Sequence, residues 1–144
     1  MLRRTSPLVL LPALSRFDDA AMLLLRLLVG AFLMWGVLDN IVSAARMQEF
    51  VAFLANRGCP LPTLAAPISV YAQFVAGLLI LLGLLTRWAG LLMAFNFLVA
   101  VALIWAGSDF RALFPPLVMI AVSLLLAARG AGCFSLDATL ERRR

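Results

Sequence analysis

The sequence predicts an all-α integral membrane protein, a four-helix bundle, on three observations. Of its 144 residues, 65% are hydrophobic and only 13% charged, whereas soluble chains carry about 45–50% apolar and about 25% charged residues. At 15.6 kDa the chain has too little interior to hide that much apolar surface from water, so the excess must face lipid. The apolar residues also gather into four stretches, each near the length of about 20 residues that a membrane helix needs. A single membrane domain, 1–144, follows.

The first span is expected at 20–38 and contains Arg26. After it, Met47, Phe50, Val51 and Leu54 recur at helical spacing with Arg46, Glu49, Asn56 and Arg57 elsewhere. That pattern predicts an amphipathic helix over 43–57, lying on the membrane surface or capping the bundle. Gly58, Pro60 and Pro62 stop it and turn the chain into the second span, 64–85. Only Thr86 and Arg87 then precede the third span, 88–106, so a tight antiparallel hairpin is expected. The fourth span is placed at 110–128, because the apolar run from Pro116 alone is too short to cross. Pro115 and Pro116 then fall about one turn inside it, where each removes an amide hydrogen bond and a kink or broken first turn is expected. Residues 129–144 form a tail.

Orientation follows from the arginines. Arg3, Arg4, Arg16, Arg87, Arg129, Arg142, Arg143 and Arg144 fall on one side; Arg46, Arg57 and Arg111 fall on the other. The positive-inside rule therefore places both termini in the cytoplasm. Trp88 and Trp105 flank the third span about 25 Å apart, as an aromatic belt would. Leu8–Leu11 is too short for the apolar core of an export signal, and no small-residue cleavage site follows it.

The charge census also excludes chemistry. All twelve basic residues are arginine, and there is no histidine. That removes the commonest metal ligand, the usual haem ligand and the usual general base near neutral pH. Arginine stays protonated and cannot serve as a base. No metal site and no catalytic residue is predicted, and the net charge of +5 reads as membrane orientation rather than nucleic-acid binding. Lysine-free, Leu/Ala-rich usage fits a bacterial chain, hence the bacterial cytoplasmic (inner) membrane.

The remaining polar residues are few. Cys59 lies in the outer loop and Cys133 in the tail, so the bilayer keeps them from pairing, and without a C-x-x-C no internal dithiol is expected. Cys59 is either incidental or a thiol for a partner. Arg26 sits about 9 Å into span one. It either snorkels to the headgroups or faces the bundle, where it could meet an anion or a quinone carbonyl, with Gly30, Leu33 and Val37 on its face. Asp39 and Asn40 end the span as a solvated helix terminus or serve a ligand. Ser69, Gln73 and Gly77 make one small polar stripe, and Ala89, Met93, Asn96 and Ala100 another. The two stripes are expected either to face each other, with Gln73 and Asn96 hydrogen-bonding across the seam, or to line a ligand cleft with Tyr71 and Trp35. In the tail, glycines 130 and 132 permit a tight exit from span four, and Ser135 caps a short helix with Asp137 in its first turn. Arg87, Arg142, Arg143 and Arg144 suit lipid headgroups.

The tail Gly-x-Gly-x-aromatic-Ser-Leu-Asp (130–137) resembles the C-terminal signature of the bacterial DoxX family. Arg26-x-x-x-Gly30 with Phe32 and Gly36, Gly58-x-Pro60-x-Pro62, and the hairpin Gly83-Leu84-Leu85-Thr86-Arg87 are also similar to it, in the same order. The resemblance implies a four-helix membrane bundle linked to sulfur oxidation, as a subunit of a thiosulfate:quinone oxidoreductase, to oxidative-stress complexes, or to maturation of redox enzymes. This chain departs from the family's pattern at three places. Gln73 stands where an acidic residue is common, Asp39 follows span one where a basic one is common, and Cys133 stands for a basic residue of the tail.

Together these readings predict a small non-catalytic or accessory subunit of a bacterial inner-membrane redox complex. It would contact membrane lipids and a protein partner or a second copy of itself, and contribute to a quinone or lipid site. The alternative is a quinone-linked oxidoreductase component whose pocket uses Arg26, Gln73 and Asn96. A small transporter or lipid-handling bundle is a third reading, disfavoured by the lack of an inverted repeat.

Overall fold

The computed structural model of the chain describes residues 12–142. Arg3, Arg4, Arg143 and Arg144, including the lipid contacts expected of the last two, lie outside the described residues. Among the described residues every regular element is helical, and four helices are long and apolar enough to cross a membrane.

A short 3-10 helix, Pro12–Phe17, leads into α1, Asp18–Val42, whose first turn carries Asp18 and Asp19 where the helix dipole favours negative charge. The apolar span runs Leu14–Val42, longer at both ends than the sequence predicts: the 3-10 helix joins it at the start, and Asp39 and Asn40 are accommodated in the helix without breaking it. Ser43 breaks it, in an extended conformation, and its hydroxyl accepts from the Arg46 N–H to start α2, Ala44–Asn56, with no intervening loop. Along α2, Leu54 is buried, Met47, Phe50 and Val51 are half-buried, and Arg46, Gln48 and Glu49 are exposed.

Helix α3, Pro62–Leu82, opens with proline in its first turn, where a missing N–H costs nothing. It ends at Gly83, whose φ of 68° is left-handed. The turn to α4, Thr86–Ile104, is therefore made by Gly83, Leu84 and Leu85, with Thr86 already helical. Asp109 caps α5, Phe110–Arg129, accepting from the Ala112 N–H at 3.0 Å. The helix runs on through Pro115 and Pro116, which sit one turn in. Ser135 caps the short α6, Leu136–Glu141, accepting from the Ala138 N–H at 3.1 Å.

Two helix pairs make the bundle, α1 on α3 and α4 on α5, joined more lightly along α3 and α4. Both pairs close through glycine. A Cβ on Gly30 would lie 2.7 Å from the Gly77 carbonyl oxygen, and one on Gly77 would lie 3.0 Å from that of Gly30. A Cβ on Gly90 would lie 2.6 Å from the Ser123 carbonyl oxygen. Backbone contact of this kind is how helices associate where lipid offers no hydrophobic driving force. The core between the pairs is Met22, Val29 and Leu33 of α1, Ala76 and Ile80 of α3, Ala89 and Met93 of α4, and Met119 and Leu126 of α5. Leu24, Leu28, Phe32, Leu98 and Leu124 instead point outward, as a multi-pass membrane protein requires.

The bundle has two distinct ends. At the tail end Asp18 pairs with Arg129 at 3.2 Å and the Cys133 N–H donates to Asp19 at 3.0 Å. At the loop end α2 packs against α1 and α3.

Candidate functional site

At the tail end the geometry is organised by Arg26, which is 1% exposed. Its guanidinium is enclosed by backbone carbonyls of α3 and of the tail. Its Nε donates to the Ile80 carbonyl at 3.1 Å and Nη2 to that of Leu81 at 3.4 Å. Its Nη1 donates to the carbonyls of Ala131 and of Phe134, the latter at 2.9 Å. The last carbonyls of a helix have no partner within it; Leu79 and Ile80 accept from the Leu84 and Gly83 N–H groups that follow α3, while Leu81 is met by Arg26, which also fixes the tail. A guanidinium suits this because its five N–H groups point in fixed, divergent directions.

The tail returns the favour to α4. Leu85 and Thr86 at the start of that helix have no side-chain cap of their own, and their N–H groups donate to the two carboxylate oxygens of Asp137, at 2.8 and 3.1 Å. The Asp137 N–H donates in turn to the Gly83 carbonyl at 2.9 Å. Gly83 leaves no room for anything larger, since a Cβ there would lie 2.6 Å from Ser135 and 2.8 Å from the Arg26 guanidinium. Arg87 performs the matching task for α5, donating from Nη1 to the Ala127 and Ala128 carbonyls at 3.2 and 2.7 Å. Arg142 is exposed just beyond α6, as its C-cap. The Cys133 thiol, exposed beside Asp19, has its pKa pushed up by that hydrogen-bonded carboxylate.

Within the span, Ser69 donates to the Asn96 amide oxygen at 2.8 Å, Asn96 to the Gln73 amide oxygen at 3.4 Å, and Gln73 to the Leu33 carbonyl at 3.4 Å. The chain of bonds ties α4 to α3 and α3 to α1. Leu33 lies seven residues beyond Arg26, about 10 Å along the helix, and the two polar groups have no common partner.

Beside that seam, toward the loop end, lies a cleft of about 260 Å³ roofed by Phe50, Phe53 and Leu54 of α2 and walled by α3 and α4. Ser69 and Asn96 lie along it, Cys59 stands at its edge, and the rest of its lining is apolar, including Phe95, Val99 and Leu103. Apolar walls with a few converging polar groups are the usual make-up of a small-molecule site. Gln73, Arg26, Tyr71 and Trp35 are not part of that lining. Tyr71 is 53% and Trp35 79% exposed on the outside of the bundle, Trp35 over a shallow hollow with Met34, Leu38 and Phe74.

Two buried hydroxyls, Thr86 Oγ1 and Ser123 Oγ, have no hydrogen-bond partner. Nothing in their sequence context singles them out. Among the described residues no three His, Cys, Asp or Glu side chains gather closely enough to hold a metal ion.

No curated protein and no solved structure matches the chain. The DoxX family profile matches residues 21–106, from α1 through the end of α4, which is more than half of the sequence. Helices α1 to α4, with Arg26, the glycine contact of α1 with α3 and the Ser69–Gln73–Asn96 seam, thus fall inside the match, and the chain belongs to the DoxX family.

Proposed function

We propose that this protein is an accessory, non-catalytic subunit of a bacterial inner-membrane redox complex, and that the cleft beneath α2 receives the ring of a membrane quinone. The cleft itself carries the reading. Its walls are aromatic and aliphatic, and its polar edge is one serine and one asparagine. An asparagine amide has two N–H groups. Asn96 gives one to Gln73, which leaves a second for a quinone carbonyl. A quinone would supply two-electron, two-proton carriage, and the chain's own part would be to hold the ring, exclude water from it and present it to a partner. Arg26, by contrast, is bound to carbonyls and acts as a clamp.

In this reading the tail end is cytoplasmic, since Arg16, Arg87, Arg129 and Arg142 lie there and Arg46, Arg57 and Arg111 at the other end. The amphipathic α2 then lies in the outer leaflet interface as the roof of the cleft. Cys59 at its edge is available to a partner's thiol, and the exposed faces of α4 and α5 to a partner's helices.

The test is purification from the native membrane in a mild detergent, with extraction and chromatographic measurement of quinone and mass spectrometry of co-purifying proteins. Quinone in the wild type, lost in Asn96→Leu and retained in Tyr71→Leu, together with a co-purifying oxidoreductase subunit, is the expected result. A wild-type protein without quinone and without a partner overturns the reading.

A further inference from the structure

The cleft beneath α2 offers a ligand three phenylalanine rings and one strong hydrogen-bond donor. Phe50 and Phe53 of its roof stack with ring centroids 6.4 Å apart and planes at 15°, and Phe95 belongs to its α4 wall. The Ser69 hydroxyl is spent on the Asn96 amide oxygen at 2.8 Å. Asn96 gives one N–H to Gln73 and keeps the other. At the loop edge the N–H groups of Arg57, Gly58 and Cys59 are taken by carbonyls of α2, and those along the walls are bonded within α3 and α4. The Cys59 thiol at the edge is a weak donor. A molecule in this space therefore meets a single strong donor, and any further oxygen it carries is buried against carbon.

We infer that the quinone this cleft selects is a naphthoquinone of the menaquinone type rather than a dimethoxybenzoquinone of the ubiquinone type, an inference that rests on the quinone reading of the cleft. Both rings carry two carbonyls, of which Asn96 can meet one. The naphthoquinone brings no other oxygen. Where the benzoquinone carries its two methoxy groups, the naphthoquinone carries a fused benzene ring. Methoxy oxygens that lose water without gaining a donor are a cost. The fused ring turns the same positions into apolar surface and lays a larger flat face against phenylalanine. Discrimination comes from what the cleft lacks. A pocket built for the methoxy oxygens would spend further polar side chains on them, whereas Ala65, Ala72, Leu92 and Ala100 line this one with carbon.

Equilibrium dialysis of the purified full chain in detergent against three tail-free probes tests this, each corrected for its uptake by protein-free micelles. The probes are a dimethylnaphthoquinone, the same ring with two methoxy groups in place of the methyls, and the dimethoxy-methyl-benzoquinone ring of ubiquinone. The dimethylnaphthoquinone should bind about tenfold more tightly than the benzoquinone, the scale on which a pocket distinguishes related ligands. The dimethoxynaphthoquinone should lose most of that advantage. Asn96→Leu should weaken dimethylnaphthoquinone binding about fivefold, as for one lost hydrogen bond. Equal affinity for the three probes, or tighter binding of the benzoquinone, overturns this inference and leaves a quinone in the cleft. Dimethylnaphthoquinone affinity that Asn96→Leu leaves unchanged places the ring elsewhere and overturns it as well. If no probe binds beyond its uptake by micelles, the quinone reading itself falls.

Discussion

At the tail end four backbone carbonyls converge on Arg26 and two backbone amides on Asp137, whereas at the loop end a cleft of about 260 Å³ stands open with only Ser69 and Asn96 as strong hydrogen-bonding side chains along it. The first region uses ionised side chains to satisfy helix ends, and the space beside them is lined by charge. The second spends few polar groups and leaves a shaped apolar space. In lipid an unmet backbone group costs several kcal/mol, and the tail end meets such groups with Arg26 and Asp137.

The sharpest way to break this contrast is Arg26→Ala. It leaves the Leu81, Ala131 and Phe134 carbonyls without their donor, while Ile80 keeps the Gly83 N–H, and a loss of about 3–5 kcal/mol is expected from the unmet acceptors. Thermal or SDS unfolding in detergent reads it, and an unchanged midpoint would mean that the tail is not a clamp. Next comes Gly30→Ala, whose new Cβ would press on the Gly77 carbonyl, costing about 1–3 kcal/mol of overpacking. Asp137→Ala should cost about 0.5–2 kcal/mol by uncapping α4, with amide exchange accelerating at Leu85 and Thr86 and not at the start of α5. At the other region Asn96→Leu should cost only about 0.6 kcal/mol, so a large loss there would place the seam on a par with the tail.

The smallest effect is kinetic. Asp19 holds the Cys133 thiol above its ordinary pKa, so less thiolate is present at pH 8 than for an unperturbed cysteine. Maleimide reacts with the thiolate. In a Cys59→Ser background, Asp19→Asn should therefore speed labelling of Cys133 near pH 8, with the gain shrinking at a pH well above both values. Identical rates across the pH range would remove Asp19 from contact with the thiol.

These two regions were unequally legible in the sequence. The four apolar helices were, because length and hydropathy alone carry that signal. So was the juxtaposition of Ser69 and Gln73 with Asn96, since polar residues at helical spacing in adjacent spans have few other places to go. The tail end was not. Arg26 and its acceptors Ala131 and Phe134 are over one hundred positions apart, and the acceptors are backbone oxygens, which every residue has and no motif marks. Asp137 reads in sequence as favouring the start of its own short helix and is found serving α4. The family resemblance singled out 130–137 as a unit, but only the fold relates that unit to Arg26 and Gly83. Residue type alone groups Trp35 and Tyr71 with the polar stripes; their helix faces turn them outward.

The dependence of Arg26 on Ala131 and Phe134 also has a temporal side. Those residues are synthesised after all four spans, so a nascent chain whose helices have already entered the bilayer still holds a guanidinium without two of its acceptors. Docking of the tail is then the event that completes the Arg26 site, and a chain cut before residue 131 would leave the guanidinium with only the Ile80 and Leu81 carbonyls.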